Sequence, residues 1–133
     1  MSRVHETDIR VRYCETDGMG YLHHSHYANY MEQARTEMLR AQGSTYREVE
    51  ERGLFLVVVK LESNFVAPAR YDDVLTVRTT LERITPARLE HSYEILRDGT
   101  VLHRARSVLA CVDREGNVQR ISEVLPELND DTP

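Results

Sequence analysis

Tyr13-Cys14-Glu15-Thr16-Asp17-Gly18-Met19-Gly20-Tyr21-Leu22-His23-His24-Ser25-His26-Tyr27, running on through Ala28-Asn29-Tyr30-Met31-Glu32-Gln33-Ala34-Arg35, is the stretch around which this chain is organised. It begins as an extended segment, bends at Gly18 and Gly20 around the Asp17 carboxylate, and enters the longest helical pattern in the sequence. From His23 or Ser25 onward, Tyr27, Met31, Ala34 and Met38 recur three or four residues apart and predict one apolar stripe, flanked by Tyr30 and Leu39. Glu32, Arg35, Thr36 and Arg40 fall mostly outside it, with Glu32 and Glu37 as expected surface partners for Arg35 and Arg40. Ser25 is a candidate N-cap and Gly43 a C-terminal stop. A carboxylate just before a helix start has a chemical use. The unpaired N–H groups and positive dipole end favour a developing negative charge, and Asp17 is placed to attack a carbonyl or activate water. The competing reading is that Asp17 caps the helix or fixes the bend.

On the N-terminal side, Ile9, Val11 and Tyr13 alternate with Arg10 and Arg12, the pattern of a half-buried strand. On the C-terminal side, Thr45 with Glu48 forms a capping-box pair that opens a short helix ending at Gly53. The period then changes to two. Leu54 to Val66 reads as a long strand, and Pro68 to Asp73 as a turn. Leu75, Val77, Thr79 and Leu81 mark a second strand, and Leu89, His91, Tyr93 and Ile95 a third. Asp98-Gly99 is a strong hairpin signal, after which Val101 to Asp113 continues and Arg114 to Asn117 turns into a short piece at Val118 to Ile121. The tail, Asn129 to Pro133, reads as frayed. Strand, long helix, short helix and then consecutive antiparallel strands predict an α+β domain spanning residues 1–133, with a meandering sheet packed on one principal helix.

Composition narrows the function classes. A net charge of −5 over 133 residues argues against a general nucleic-acid binder, which needs a basic face. The longest apolar run, Leu54 to Val59, is far too short to cross a membrane, and the N-terminus has no apolar leader region. Cys14 and Cys111 lie far apart in segments read as strands, and are expected to be buried or half-buried free thiols in a reducing cytoplasm. His23 and His26, one helical turn apart near Asp17, invite a metal reading, but no cysteine or second carboxylate completes a ligand set. His91 and His103 are expected as ordinary sheet residues. Arg70, Arg88, Arg104 and Arg106 are cations that a phosphate-bearing ligand could use, though alternating arginines on a strand usually form a solvated face.

The acidic Tyr13-Cys14-Glu15-Thr16-Asp17-Gly18-Met19-Gly20 stretch, with His24, Tyr27 and Glu32-Gln33-Ala34-Arg35 downstream and Ala67-Pro68-Ala69-Arg70-Tyr71-Asp72-Asp73 later, resembles the 4-hydroxybenzoyl-CoA thioesterase-like branch of the hotdog-fold acyl-CoA thioesterases. It is most similar to the YbgC-type subgroup, and the likeness runs from about Val4 to Val112. The resemblance implies an antiparallel sheet wrapped round the long helix, with sheets pairing edge to edge in a homodimer or homotetramer whose active sites lie at the dimer interface. It implies hydrolysis of an acyl-CoA thioester to a carboxylic acid and free CoA, with no metal or organic cofactor. Asp17 matches the family's catalytic aspartate, as nucleophile or general base. His24 falls where a backbone N–H at the helix start polarises the thioester oxygen, and its imidazole has a further role in orienting substrate or water. Tyr13 matches a tyrosine that lines the acyl pocket or binds the aspartate. His23 and Met19-Gly20-Tyr21-Leu22 depart from the subgroup's pattern and leave the acyl preference open. Two other readings keep the fold: hydrolysis of acyl groups from an acyl carrier protein, and a non-catalytic acyl-binding subunit.

Overall fold

The helix that follows the Asp17 bend is amphipathic, and burying its apolar side decides how the chain is arranged. The computed structural model describes residues 3–121. In chain order these form β1 (Val4–Arg10), a single 3-10 turn (Tyr13–Glu15), α1 (Ser25–Ala41), α2 (Tyr46–Glu51), β2 (Leu54–Phe65), β3 (Val74–Ile84), β4 (Arg88–Arg97) and β5 (Thr100–Asp113). The strands make one sheet in the order β1-β3-β4-β5-β2, with every neighbouring pair antiparallel.

Helix α1 lies on one face of that sheet. Tyr27, Tyr30, Met31 and Ala34 pack with Ile9, Leu75, Val77, Tyr93, Ile95 and Leu102. One turn further on, Met38 and Leu39 pack with Val49, Leu81, Leu89, Leu109 and Cys111. Alternation along β3 and β4 sends every second side chain into this core. The opposite face is solvated and laced with ion pairs: Arg78 donates to Glu6 at 2.8 Å and to Glu94 at 3.1 Å. The β4–β5 hairpin turns through Asp98 (φ 49°) and Gly99 (φ 81°), the paired left-handed conformation that a two-residue turn needs to match strand twist. In α2, the Glu48 N–H donates to the Thr45 hydroxyl at 3.1 Å, as the capping pair predicts.

The structure corrects the sequence reading in several places. The first strand ends at Arg10 rather than reaching Tyr13, because the Glu15 carboxylate accepts the Arg12 N–H at 2.8 Å and draws the chain into a turn. Cys14 therefore sits exposed in that turn and not in a strand, while Cys111 is buried on β5; both are free thiols. The meander holds for β3, β4 and β5 only. Strand β2 crosses to the far side of β5 after α2, and β1 takes the opposite edge beside β3. Val118 makes an isolated bridge to Val112 instead of starting a strand. Arg35 is buried at 7% exposure, and its partner is the Tyr93 hydroxyl, not Glu32. Position 35 lies four residues after Met31 and so shares the buried face. The tail residues 129–133 lie outside the described residues.

One edge of the sheet stays open among the described residues. Strand β2 pairs only with β5, through a bulge between Val58 and Lys60, and exposes Val57, Val58, Val59, Leu61 and Phe65.

Ile95 is fully buried where β4 meets α1. Truncation to alanine leaves a cavity there, so Ile95→Ala is expected to lower the unfolding free energy by about 2–5 kcal/mol, measured by urea denaturation.

Candidate active site

Three short pieces hold Asp17 in place. The Gly20 N–H donates to the Asp17 carbonyl at 3.0 Å, closing a tight turn that Gly20 completes at φ 80°. The Asp17 N–H donates to the Tyr21 carbonyl at 2.8 Å. In return, Asp17 Oδ1 accepts the N–H groups of Met19 at 2.9 Å and Tyr21 at 3.1 Å. The carboxylate is thereby pinned by one oxygen, with no hydrogen bond from the described residues reaching Oδ2. The turn is then stitched to the rest of the fold. The Leu22 N–H donates to the Ala69 carbonyl at 2.8 Å, and Tyr21 bridges Arg70, whose guanidinium lies 4.8 Å over the Tyr21 ring.

Glu15 ties the bend to the helix. Its buried carboxylate accepts the Tyr30 hydroxyl at 2.6 Å, the Arg12 N–H at 2.8 Å and the Arg12 guanidinium at 3.3 Å. The Glu15 carbonyl accepts the His23 N–H at 2.9 Å, just before α1 begins. Burial pushes the Glu15 acid upward, but the Tyr30 and Arg12 hydrogen bonds outweigh it and hold the carboxyl below its usual range. Sequence reading passed over this residue. Its signal was local, a carboxylate three residues after a strand-ending N–H, and its partner Tyr30 is fixed only once the helix docks.

The helix starts with His24 already in helical conformation (φ −56°, ψ −27°), and the His24 side chain caps nothing. His23 takes the capping role instead: the Ser25 N–H donates to His23 Nδ1 at 3.2 Å, and the Ser25 hydroxyl lies 2.9 Å from the same nitrogen. Ser25 is therefore the first helical residue and not the cap. The His24 ring is exposed and tilts against His23, with centroids 4.1 Å apart.

Asp17 and His24 meet on one groove of about 330 Å³, whose walls include Tyr21, Tyr27, Phe65 and Pro68. The structure thus brings two of the three sequence-selected residues together. Tyr13 is not on this wall. It stands 77% exposed, edge-on to Tyr71 at 5.5 Å. Tyr27 serves both core and groove, and behind it His103 stacks at 4.4 Å with Phe65 edge-on at 4.6 Å. Burial pushes His103 down to about 4, so its ring is neutral, and its Nε2 lies 3.2 Å from the Ser63 hydroxyl. The Phe65–Pro68 wall comes from a segment some fifty residues beyond Asp17, and no local pattern in the sequence pairs the two. Among the described residues, no group of three or more His, Cys, Asp or Glu could hold a metal ion. No helix among them is long and apolar enough to cross a membrane.

A long helix packed on a five-stranded antiparallel sheet is the hotdog arrangement found among thioesterases. The chain belongs to the thioesterase-like superfamily, whose family model matches residues 11–130. It is 34% identical over 106 residues to the acyl-CoA thioesterase YbgC of Haemophilus influenzae, covering 79% of this chain and 78% of that one. It is 33% identical over 106 residues to the acyl-CoA thioester hydrolase YbgC of Escherichia coli, covering 79% of each. Among solved structures, a DHNA-CoA thioesterase from Staphylococcus aureus superposes with a TM-score of 0.91 at 27% identity, over 96% of this chain and 87% of that one. The chain is a thioesterase of the YbgC-like kind.

Two measurements follow from the groove's supports. Tyr30→Phe removes a donor from a buried carboxylate and is expected to cost about 1.5–3 kcal/mol in urea unfolding. The Glu15 acid is lowered from 4.5, so its stabilisation is complete above that pH and fades as the pH falls through the folded value; the acid-side loss should be shallower in Tyr30→Phe. For His103 the unfolded ring takes up protons below 6.5 while the folded ring stays neutral to about 4. Stability should fall as the pH is lowered across that window, and His103→Leu should flatten the slope.

Proposed function

We propose that this chain hydrolyses acyl-CoA thioesters in the Asp17 groove. The observation that carries the proposal is the convergence of a pinned carboxylate and a helix start on one apolar-walled groove, in a chain of this family. Acyl-CoA as the substrate is supported by the YbgC relatives, which are named acyl-CoA thioesterase and acyl-CoA thioester hydrolase.

In this reading the thioester carbonyl sits between Asp17 and the first turn of α1. Its oxygen accepts the His24 N–H, one of the helix-start donors that have no intrahelical acceptor. A preorganised donor of that kind lowers the barrier by about 3 kcal/mol, because its stabilisation grows as the oxygen becomes an anion. Asp17 Oδ2 attacks the carbonyl carbon, the C–S bond breaks, CoA leaves as its thiolate, and water cleaves the resulting mixed anhydride. In the general-base version Asp17 instead takes a proton from the water that attacks the same carbon. Hydroxylamine trapping separates the two, since only the anhydride yields an Asp17 hydroxamate. The His24 imidazole, exposed beside the groove, orients substrate or water.

The working unit is a homodimer joined through the open edge of β2, with tetramers as a further association. Val57, Val58 and Val59 on that edge are exposed, as are the groove residues Phe65 and Val66 that continue it. A second sheet added there would satisfy the edge's backbone groups and cover apolar side chains that a lone edge strand leaves wet. It would also wall the groove. Free thiols at Cys14 and Cys111 fit a reducing cytoplasm.

Thiol release from short-chain, long-chain and hydroxybenzoyl CoA esters tests the reading. Asp17→Asn is expected to lose about 10²–10⁴-fold in kcat with the fold and oligomer intact. Loss of the fold instead would make Asp17 structural and defeat the mechanism. The double variant Val57→Lys and Val59→Lys should sediment as a monomer and lose turnover with it.

A further inference from the structure

Beneath the C-terminal half of α1, a second cavity of about 20 Å³ lies between helix and sheet, distinct from the groove and sharing no wall residue with it. That is room for one occupant of about water size. Arg35 and His91 both line it, and both are only 7% exposed. The Arg35 guanidinium carries a full charge into this interior. Its Nη1 donates to the Tyr93 hydroxyl at 3.0 Å, which in turn lies 2.5 Å from the Ser107 hydroxyl, and its charge also acts on the Tyr46 hydroxyl. These partners are neutral. Among the described residues no carboxylate lies within salt-bridge distance of Arg35, although Glu32 acts on the Tyr46 hydroxyl beside it, and neither Arg35 Nε nor His91 Nδ1 has a hydrogen-bond partner.

An uncompensated buried charge is among the most costly features a fold can carry. Two buried nitrogens without partners, on residues that both line the cavity, make a donor set suited to an anion. Apart from Gln42 and Tyr46, the cavity walls are Met38, Leu39, Leu56, Leu81, Leu89 and Leu109. Such walls offer no donors for the several oxygens of a phosphate, sulfate or carboxylate, whereas a single-atom anion needs only the few that Arg35 and His91 leave unpaired.

We propose that the Arg35–His91 cavity is a binding site for one halide-type monoatomic anion, held by the Arg35 Nε–H and the Nδ1–H tautomer of His91, that neutralises the buried guanidinium and locks α1 to the sheet. His91 is suited to this without being a cation itself. Burial, with Arg35 beside it, pushes its ring down to about 3, so it presents a neutral N–H rather than a second charge.

The test needs no substrate. Crystals of the full chain soaked in sodium bromide should show an anomalous difference peak in contact with Arg35 and His91. The melting temperature should rise in sodium chloride or bromide relative to sodium gluconate at equal ionic strength, by about 4 °C per tenfold halide once binding saturates. Arg35→Met should abolish that difference and His91→Leu should reduce it. A cavity without anomalous signal in bromide, or a wild-type melting temperature identical in halide and gluconate, would overturn the proposal and assign the cavity to a water. The wild-type measurements decide the matter even where a variant fails to fold.

Discussion

The docking of α1 against the sheet is the constraint on which everything else depends. Ala34 and Met31 are 0% and 1% exposed, and the small side chain at 34 lets the helix settle close to Leu75, Val77 and Ile95. Apolar area removed from water at this seam supplies the driving force. Once the helix is seated, its N-terminus has a fixed position over the sheet. The Asp17 turn, joined to Ala69 and Arg70 on one side and to His23 on the other, must then lie beside that end. The geometry of the proposed site is a by-product of core packing.

Two ionic groups are carried into this core, and they are handled differently. Glu15 is surrounded by donors: a phenol, a backbone N–H and a guanidinium share its two oxygens. It holds the bend to the helix as a satisfied anion, and its stabilisation comes from hydrogen bonds that outweigh burial. Arg35 has only hydroxyls to meet it, and its Nε is left over. The first arrangement closes a polar network, while the second leaves one open toward a cavity. Both sit on the helix seam, one at each half, so charge as well as apolar area sets how firmly α1 is held.

Much of this was legible in the chain itself. The switch from helical to alternating period after Gly53, the capping pair at Thr45 and Glu48, and Asp98-Gly99 each reappear as the expected element, because each is a local preference that the fold has no reason to override. The pairing of Asp17 with His24 was also legible, since only six residues, two of them glycines, lie between them and a helix start must follow. What was not legible depends on distant partners. Tyr13 continues an alternating pattern, yet the Glu15 carboxylate, committed to Tyr30 on the helix, takes the Arg12 N–H and turns the chain out of the strand. Arg35 looks like surface beside Glu32 until Tyr93 on β4 supplies a buried partner.

The sequence by itself determined the elements, their order, the fold class and the residues proposed to do the chemistry, because periodicity, caps and turns act over a few residues. The tertiary structure alone decided which strands are neighbours. It placed β2 on an open edge and brought Phe65–Pro68 across to face Asp17. It also decided which charged side chains are buried, since burial depends on what the opposite layer presents, and that layer comes from segments tens of residues away.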